Sequence, residues 1–169
     1  MQQTPDVMPN RGAAVVRLSD EVAAFVESGL SIILGVVGPD RRAHAGRALA
    51  ARIGAEGRLR LICPEEGNDM VLATARAGGP IAVTLSAPMS HRTLQIKGSS
   101  CRLEPAEPQD TTAMRLQTEA FAAILGAVGH STAFVQAFSD YRSSTLFVLS
   151  FPMQEMFEQT PGPGAGRSI

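Results

Sequence analysis

The stretch from Ser90 to Gly98, Ser-His-Arg-Thr-Leu-Gln-Ile-Lys-Gly, restricts the fold more than any other part of the chain. Thr93, Gln95 and Lys97 alternate with Leu94 and Ile96, a period of two that belongs to a strand whose two faces meet different surroundings. One face enters a core. The other carries a polar row that meets either water or a ligand, and which of the two it meets is the functional question.

The remaining segments extend this pattern. Leu30 to Val37 is almost continuously apolar and stops at Gly38-Pro39-Asp40, a turn that breaks the strand because proline fixes φ and has no N–H to donate. Arg58 to Cys63 alternates charged and apolar residues, and Ile81, Val83 and Leu85 alternate with Ala82, Thr84 and Ser86 as far as Pro88. Ser144 to Met156 reads as the last strand, and the polar-row strand continues past Gly98 to Leu103. Between Arg41 and Gly57 periodicity leaves two readings open, because Ala48 to Ala51 can propagate a helix while Gly46, Gly54 and Gly57 favour strand and turn. Helices are predicted after Ser19 as N-cap, after Asn68, from Asp110 or Thr111 onward, and over Thr132 to Phe138. About six strands with helices inserted between them, lacking strict strand–helix alternation, predict antiparallel β with peripheral helices, most naturally a small barrel. Residues 1–16 read as a flexible segment, residues 17–169 as one domain, and Pro161 to Gly166 as an irregular tail.

Composition excludes several classes. With 44% hydrophobic and 18% charged residues the chain is globular, and no apolar run approaches the roughly 20 residues of a membrane helix. The polar, proline-containing start does not resemble a secretory signal, so a cytoplasmic location is expected. A net charge of −1 supplies no basic field for nucleic acid. Cys63 and Cys101 lie in apolar strand patterns without Cys-x-x-Cys spacing and read as buried thiols.

No self-contained catalytic motif is present: neither Gly-x-Ser-x-Gly nor His-Glu-x-x-His, no P-loop, and no Gly-x-Gly-x-x-Gly between strand and helix. His44, His91 and His130 lack metal-ligand spacing, so no metal site is predicted and no catalytic residue is designated. Anion binding is the remaining chemistry. Arg47, Arg52, Arg92 and Lys97 lie in the strand-rich half, and a phosphate requires two or three such donors, arginine forking onto its oxygens. The competing reading is scattered, solvated strand charges. Arg47 and Arg52 are five positions apart, so a regular strand points them to opposite faces unless a bulge intervenes.

Gly46-Arg47-Ala48-Leu49-Ala50-Ala51-Arg52, then Arg58 to Pro64, then Arg92-Thr93-Leu94-Gln95-Ile96-Lys97-Gly98 resemble the strand succession of the pyridoxamine 5′-phosphate oxidase-like family of flavin-binding split barrels. Phe157 to Pro163 is similar to the tail of members of that group, and the likeness covers most of residues 18 to 165. It implies a six-stranded antiparallel split β-barrel, a homodimer, and FMN held in a pocket at the dimer interface. It also implies that Arg47, Ala48 and Arg52 lie near the flavin and its phosphate, and that Arg92, Thr93, Gln95 and Lys97 belong to the cofactor-binding strand. In the family's Arg-Gln-Val-x-Ile-x-Gly strand this chain keeps Arg92, Ile96 and Gly98 but has Thr93 in place of the flavin-contacting Gln. Where the true oxidases carry a Ser-Arg-Lys phosphate cluster, it has Pro64-Glu65-Glu66-Gly67-Asn68, whose carboxylates repel phosphate.

Two classes of function follow. In the first, the chain is an FMN-binding oxidoreductase-like protein acting on a small molecule, with Arg47, Arg52 and Lys97 neutralising phosphate and Thr93 and Gln95 bonding the ring or ribityl chain. In the second, it is a flavin-free split barrel that binds or senses haem or another cofactor, with His44, His91 or His130 as axial ligand. A deazaflavin-dependent reductase of the same architecture is a further alternative.

Overall fold

The computed structural model describes residues 18–141 and 145–169; the flexible segment expected over residues 1–16 and the expected start of the last strand at Ser144 lie outside the described residues. The strands are β1 (Ser31–Val37), β2 (Ala43–Ala48), β3 (Ala50–Ile53), β4 (Arg58–Pro64), β5 (Ile81–Ser86), β6 (Thr93–Gly98), β7 (Arg102–Glu104) and β8 (Leu146–Glu158). The helices are α1 (Asp20–Val26), α2 (Asp69–Arg76), α3 (Pro108–Ala127) and α4 (Thr132–Ser139).

All neighbouring strands are antiparallel, in the order β2-β1-β5-β6-β8-β4-β3, with β7 beside β8. Leu49 separates β2 from β3, and its N–H donates to the Ile62 carbonyl at 2.8 Å. Because β2 borders β1 and β3 borders β4, this one bent strand joins the two ends of the sheet and closes it into a barrel. β6 and β7 likewise form one interrupted strand along β8. The eight strand segments exceed the six expected because two staves are interrupted, one at Leu49 and one after Gly98. The unsettled stretch from Arg41 to Gly57 resolves as strand, bend, strand and a single 3₁₀ turn, so tertiary pairing overrides the helix propensity of its alanines.

The inward faces form the core, where Leu34, Leu59, Leu61, Val83, Leu85, Ile96, Leu149 and Phe151 have essentially no exposure. Burying each such side chain stabilises the fold by about 1.5–3 kcal/mol. Gly98 admits a close crossing: a Cβ there would lie 2.4 Å from both Phe151 Cδ2 and the Pro152 carbonyl. Both cysteines are buried as expected, and burial pushes their thiols upward, Cys101 to about 11. Among the described residues no helix is long and apolar enough to cross a membrane.

Two helix starts differ from the sequence reading. α3 is capped by Glu107, while Asp110 sits three residues in and its carboxylate accepts the Glu107 N–H at 2.8 Å. Asn68 precedes α2 but its side chain makes no cap bond, being drawn to β2 instead. The Ser19 cap is as predicted, accepting the Val22 N–H at 3.3 Å.

Candidate functional site

Strand register determines which side chains share a face. Arg47 of β2 stands opposite Ile33 of β1, Ile33 opposite Thr84 of β5, Thr84 opposite Gln95 of β6, and Gln95 opposite Phe157 of β8. The next row on the same face is Ala45, Gly35, Ala82, Lys97 and Glu155; the row on the other side is Ser31, Ser86 and Thr93. Ile33 and Val37 on this face stay 46% and 56% exposed. Small residues (Gly35, Ala43, Ala45, Ala82) make a flat apolar floor between Arg47 on one side and the polar row on the other. At strand spacing the Arg47 and Gln95 backbones are roughly 14 Å apart.

The polar row is only lightly engaged. Thr93 Oγ1 lies 3.1 Å from both Ser86 Oγ and the His91 carbonyl, Gln95 Nε2 donates to Thr84 Oγ1 at 3.4 Å, and Lys97 Nζ sits 4.6 Å above the Phe157 ring. At the Lys97 end the floor deepens into a cleft of about 450 Å³ lined by Gly35, Val37, Ala43, His44, Ala82 and Lys97 among others. Arg47 is held at the edge by α4: its Cζ lies 4.0 Å from the Phe138 ring centre and 5.5 Å from that of Tyr141. Such contacts fix a guanidinium without cancelling its charge.

Arg47, Thr93, Gln95 and Lys97 are thus brought to one open face, and the other three predicted residues are not. Ala48 points inward and is part of the core. Arg92 leaves toward α1, with Cζ 4.5 Å from the Phe25 ring and a 3.0 Å ion pair to Glu21. Arg52 lands on the outward face of β3, β4 and β8, which α3 covers through Met114 packed on Ala50, Ile62 and Val148. The extra residue at Leu49 turns both Arg47 and Arg52 outward, yet the chain changes sheet at that residue, so they meet different neighbours.

On the covered face Arg52 lies directly opposite Arg60. Two like charges there repel unless an anion sits between them. Asp110, 1% exposed, fills that role: it accepts from Arg52 Nε at 3.1 Å and from Arg60 Nε and Nη2 at 3.1 and 2.6 Å. Glu107 pairs with Arg52, and Glu104 accepts from Arg60 and from the Ser150 hydroxyl, which also receives Arg58 Nε at 2.9 Å. Burial pushes the Asp110 carboxyl up, but hydrogen bonds from Arg60, the Glu107 N–H and Arg52 hold it below the usual carboxylate range. Three arginines and three carboxylates close one another, which removes Arg52 from service to a ligand.

The histidines are dispersed. His44 Nε2 is 2.9 Å from Asp40, whose carboxyl that bond holds low; His91 occupies a turn with φ of 59°; His130 stacks on Phe134 at 4.6 Å. Among the described residues no three His, Cys, Asp or Glu side chains gather into a metal cluster.

No protein-family model matches the sequence, and no curated protein matches it. Solved structures do. HupZ of Group A Streptococcus superposes with a TM-score of 0.52 at 11% identity, covering 89% of this chain and 100% of that one. The likeness is one of fold: an antiparallel split barrel shared with that solved structure. HutZ, the haem storage protein of Vibrio cholerae, is similar at 12% identity and a TM-score of 0.47, covering 85% of this chain and 95% of its own. So is a Clostridium acetobutylicum protein related to general stress protein 26, of the pyridoxinephosphate oxidase family, at 12% identity and a TM-score of 0.44, with 88% and 89% covered. On the open face of this barrel lie four of the seven predicted cofactor residues, Arg47, Thr93, Gln95 and Lys97.

Proposed function

We propose that the open face of this split barrel binds FMN and that the chain serves as an oxidoreductase toward a small molecule, with the cofactor pocket completed by a second copy of the chain. The observation that carries this reading is the convergence of Arg47, Thr93, Gln95 and Lys97 around an apolar floor. The donor set fits the cofactor's chemistry: a flat ring needs a floor without bulky side chains, its polar edge needs amide and hydroxyl partners, and its phosphate needs a cation. Gly35, Ala45 and Ala82 supply the floor, Thr84, Thr93 and Gln95 the edge, and Arg47 the phosphate contact. FMN when bound supplies the electron-transfer chemistry, while the chain binds it, orients it and excludes water.

Arg52 contributes nothing to the phosphate in this reading, since Asp110 and Glu107 already hold it. Affinity therefore rests on fewer cations than the sequence suggests. The exposed Ile33 and Val37 are the surface a second copy covers, because an apolar sheet face of this kind is unfavourable in water. The test is the absorption spectrum of the purified protein followed by an FMN titration read by fluorescence quenching. Saturable quenching that weakens in Arg47→Ala supports the reading, and absence of quenching overturns it. A second reading, haem, draws on His44, which lines the cleft with its ring fixed by Asp40. A Soret band on haem addition that is lost in His44→Ala would select it.

A further inference from the structure

β2 has β1 on one side only, and the backbone N–H and C=O of Arg47 point to the other side. There the side chain of Asn68 takes the place of a neighbouring strand. Its Oδ1 accepts the Arg47 N–H at 3.1 Å, its Nδ2 donates to the Arg47 carbonyl at 3.0 Å, and Nδ2 also reaches the Pro64 carbonyl at 2.7 Å. Asn68 is 2% exposed, so these bonds are shielded from water. Gly46 makes room for it: a Cβ at that position would stand 2.1 Å from Asn68 Oδ1.

We propose that Asn68 is a positioning residue, fixing the Arg47 backbone so that the guanidinium, steadied by Phe138 and Tyr141, is presented to the cofactor's phosphate; the second half of this statement rests on the FMN reading of the open face. An amide is the side chain this task requires, since it accepts from an N–H and donates to a C=O of one residue at once. Aspartate offers no donor, and serine is too short to span both atoms.

The structure contains its own control. Gln117 of α3 clips Ala51 of β3 in the same manner, Oε1 accepting the Ala51 N–H at 3.0 Å and Nε2 donating to its carbonyl at 2.8 Å. It is buried too, but on the covered side of the bend. A merely structural role would make Asn68→Ala and Gln117→Ala behave alike.

Tyr141 provides a readout that needs no ligand, because the chain has one tyrosine and no tryptophan. Burial raises the Tyr141 pKa and the Arg47 charge opposes that rise; Glu66 and Asp140 line the same cleft and stay constant across the variants. Spectrophotometric titration should show the phenol midpoint moving further up in Arg47→Ala, moving in the same direction in Asn68→Ala, and unchanged in Gln117→Ala. In the FMN titration, Asn68→Ala should weaken binding roughly tenfold, the scale of one charge-assisted contact. The Arg47→Ala/Asn68→Ala double variant should bind no more weakly than Arg47→Ala. Should Asn68→Ala fail to fold, Asn68→Ser carries the same tests. Affinity lost in Arg47→Ala but retained in the Asn68 variants, or an unmoved phenol midpoint in them, overturns the role of Asn68. Affinity unchanged in Arg47→Ala itself overturns the FMN reading instead.

Discussion

The two outward faces of this barrel are made from the same six staves, and one bent strand delivers an arginine to each, yet they end in opposite states. On the face of β3, β4 and β8, Arg52 meets Asp110 and Glu107 at the start of α3 and is neutralised. On the face of β2, β1, β5 and β6, Arg47 meets the rings of Phe138 and Tyr141 near the end of α4 and keeps its charge. The strand chemistry does not decide what each cation does. The helix laid beside it decides, by bonding carboxylates to the guanidinium in one case and laying aromatic rings against it in the other, where Asp140 and Glu66 line the same cleft. One face is thereby committed to stability and the other is open to a ligand.

The strongest way to break this contrast is Asp110→Ala. Removing one partner from a buried charged cluster leaves Arg52 and Arg60 opposed without the buried anion between them, Glu107 and Glu104 meeting them only from the more exposed side, and the expected cost is about 3–5 kcal/mol, read as a large fall in Tm or in the denaturant midpoint. Acid should act in the same place. The Asp110 carboxyl lies below its ordinary value of about 3.9 in the folded chain, so its contribution is present above that pH and is lost as pH falls through the folded value. The acid limb of the Tm profile should therefore flatten in Asp110→Ala, and an unaltered limb would show that other carboxylates set it.

Gly98→Ala comes next, because it strikes the junction of the two faces. The added methyl would collide with Phe151 and the Pro152 carbonyl, where β6 shifts register against β8. A backbone partner cannot rotate away as a side chain can, so overpacking of about 1–3 kcal/mol is expected in thermal unfolding. Ile33→Glu is the counterpart on the open face. It should change the unfolding free energy of the single chain by no more than about 0.5 kcal/mol, since the position is solvent-exposed there. Light scattering checks the proposed pairing of two copies through this face: a dimer of the wild type should be lost in Ile33→Glu, and a dimer that persists would put the interface elsewhere.

Much of this was legible from the sequence, for a physical reason: period-two alternation survives wherever one face is wet and the other dry. Thr93 to Gly98 and Ile81 to Ser86 form strands as predicted because each carries that contrast. Arg58 to Pro64 is a strand as well, but both of its faces are buried, the charged one because Arg60 is taken up by Asp110. The convergence of Arg47 with Gln95 was not legible, because it depends on three successive registers across β1 and β5. The diversion of Arg52 was hidden for the same reason, since its partner Asp110 lies 58 residues away and reads in sequence as a plain helix cap. Asn68 misled in a like manner: an Asn before a helix suggests a cap, and only the free edge of β2 gives its amide a better use. The one advance signal was Gly46, a residue without a side chain where a strand ordinarily carries one.

The smallest expected effect is the most discriminating. Gln95 donates a single long bond of 3.4 Å to Thr84 on a surface that water can reach, so Gln95→Ala should change stability by less than about 0.5 kcal/mol. If the open face is a flavin site, the same change removes a hydrogen bond to the ring edge, a loss of about 0.5–1.5 kcal/mol that a titration reads as roughly two- to tenfold weaker FMN binding, with a shifted flavin absorption band. A residue whose removal is silent in folding but audible in binding belongs to a site. One that is silent in both is a solvated strand position, and the polar row from Thr93 to Lys97 would then owe its alternation to water alone.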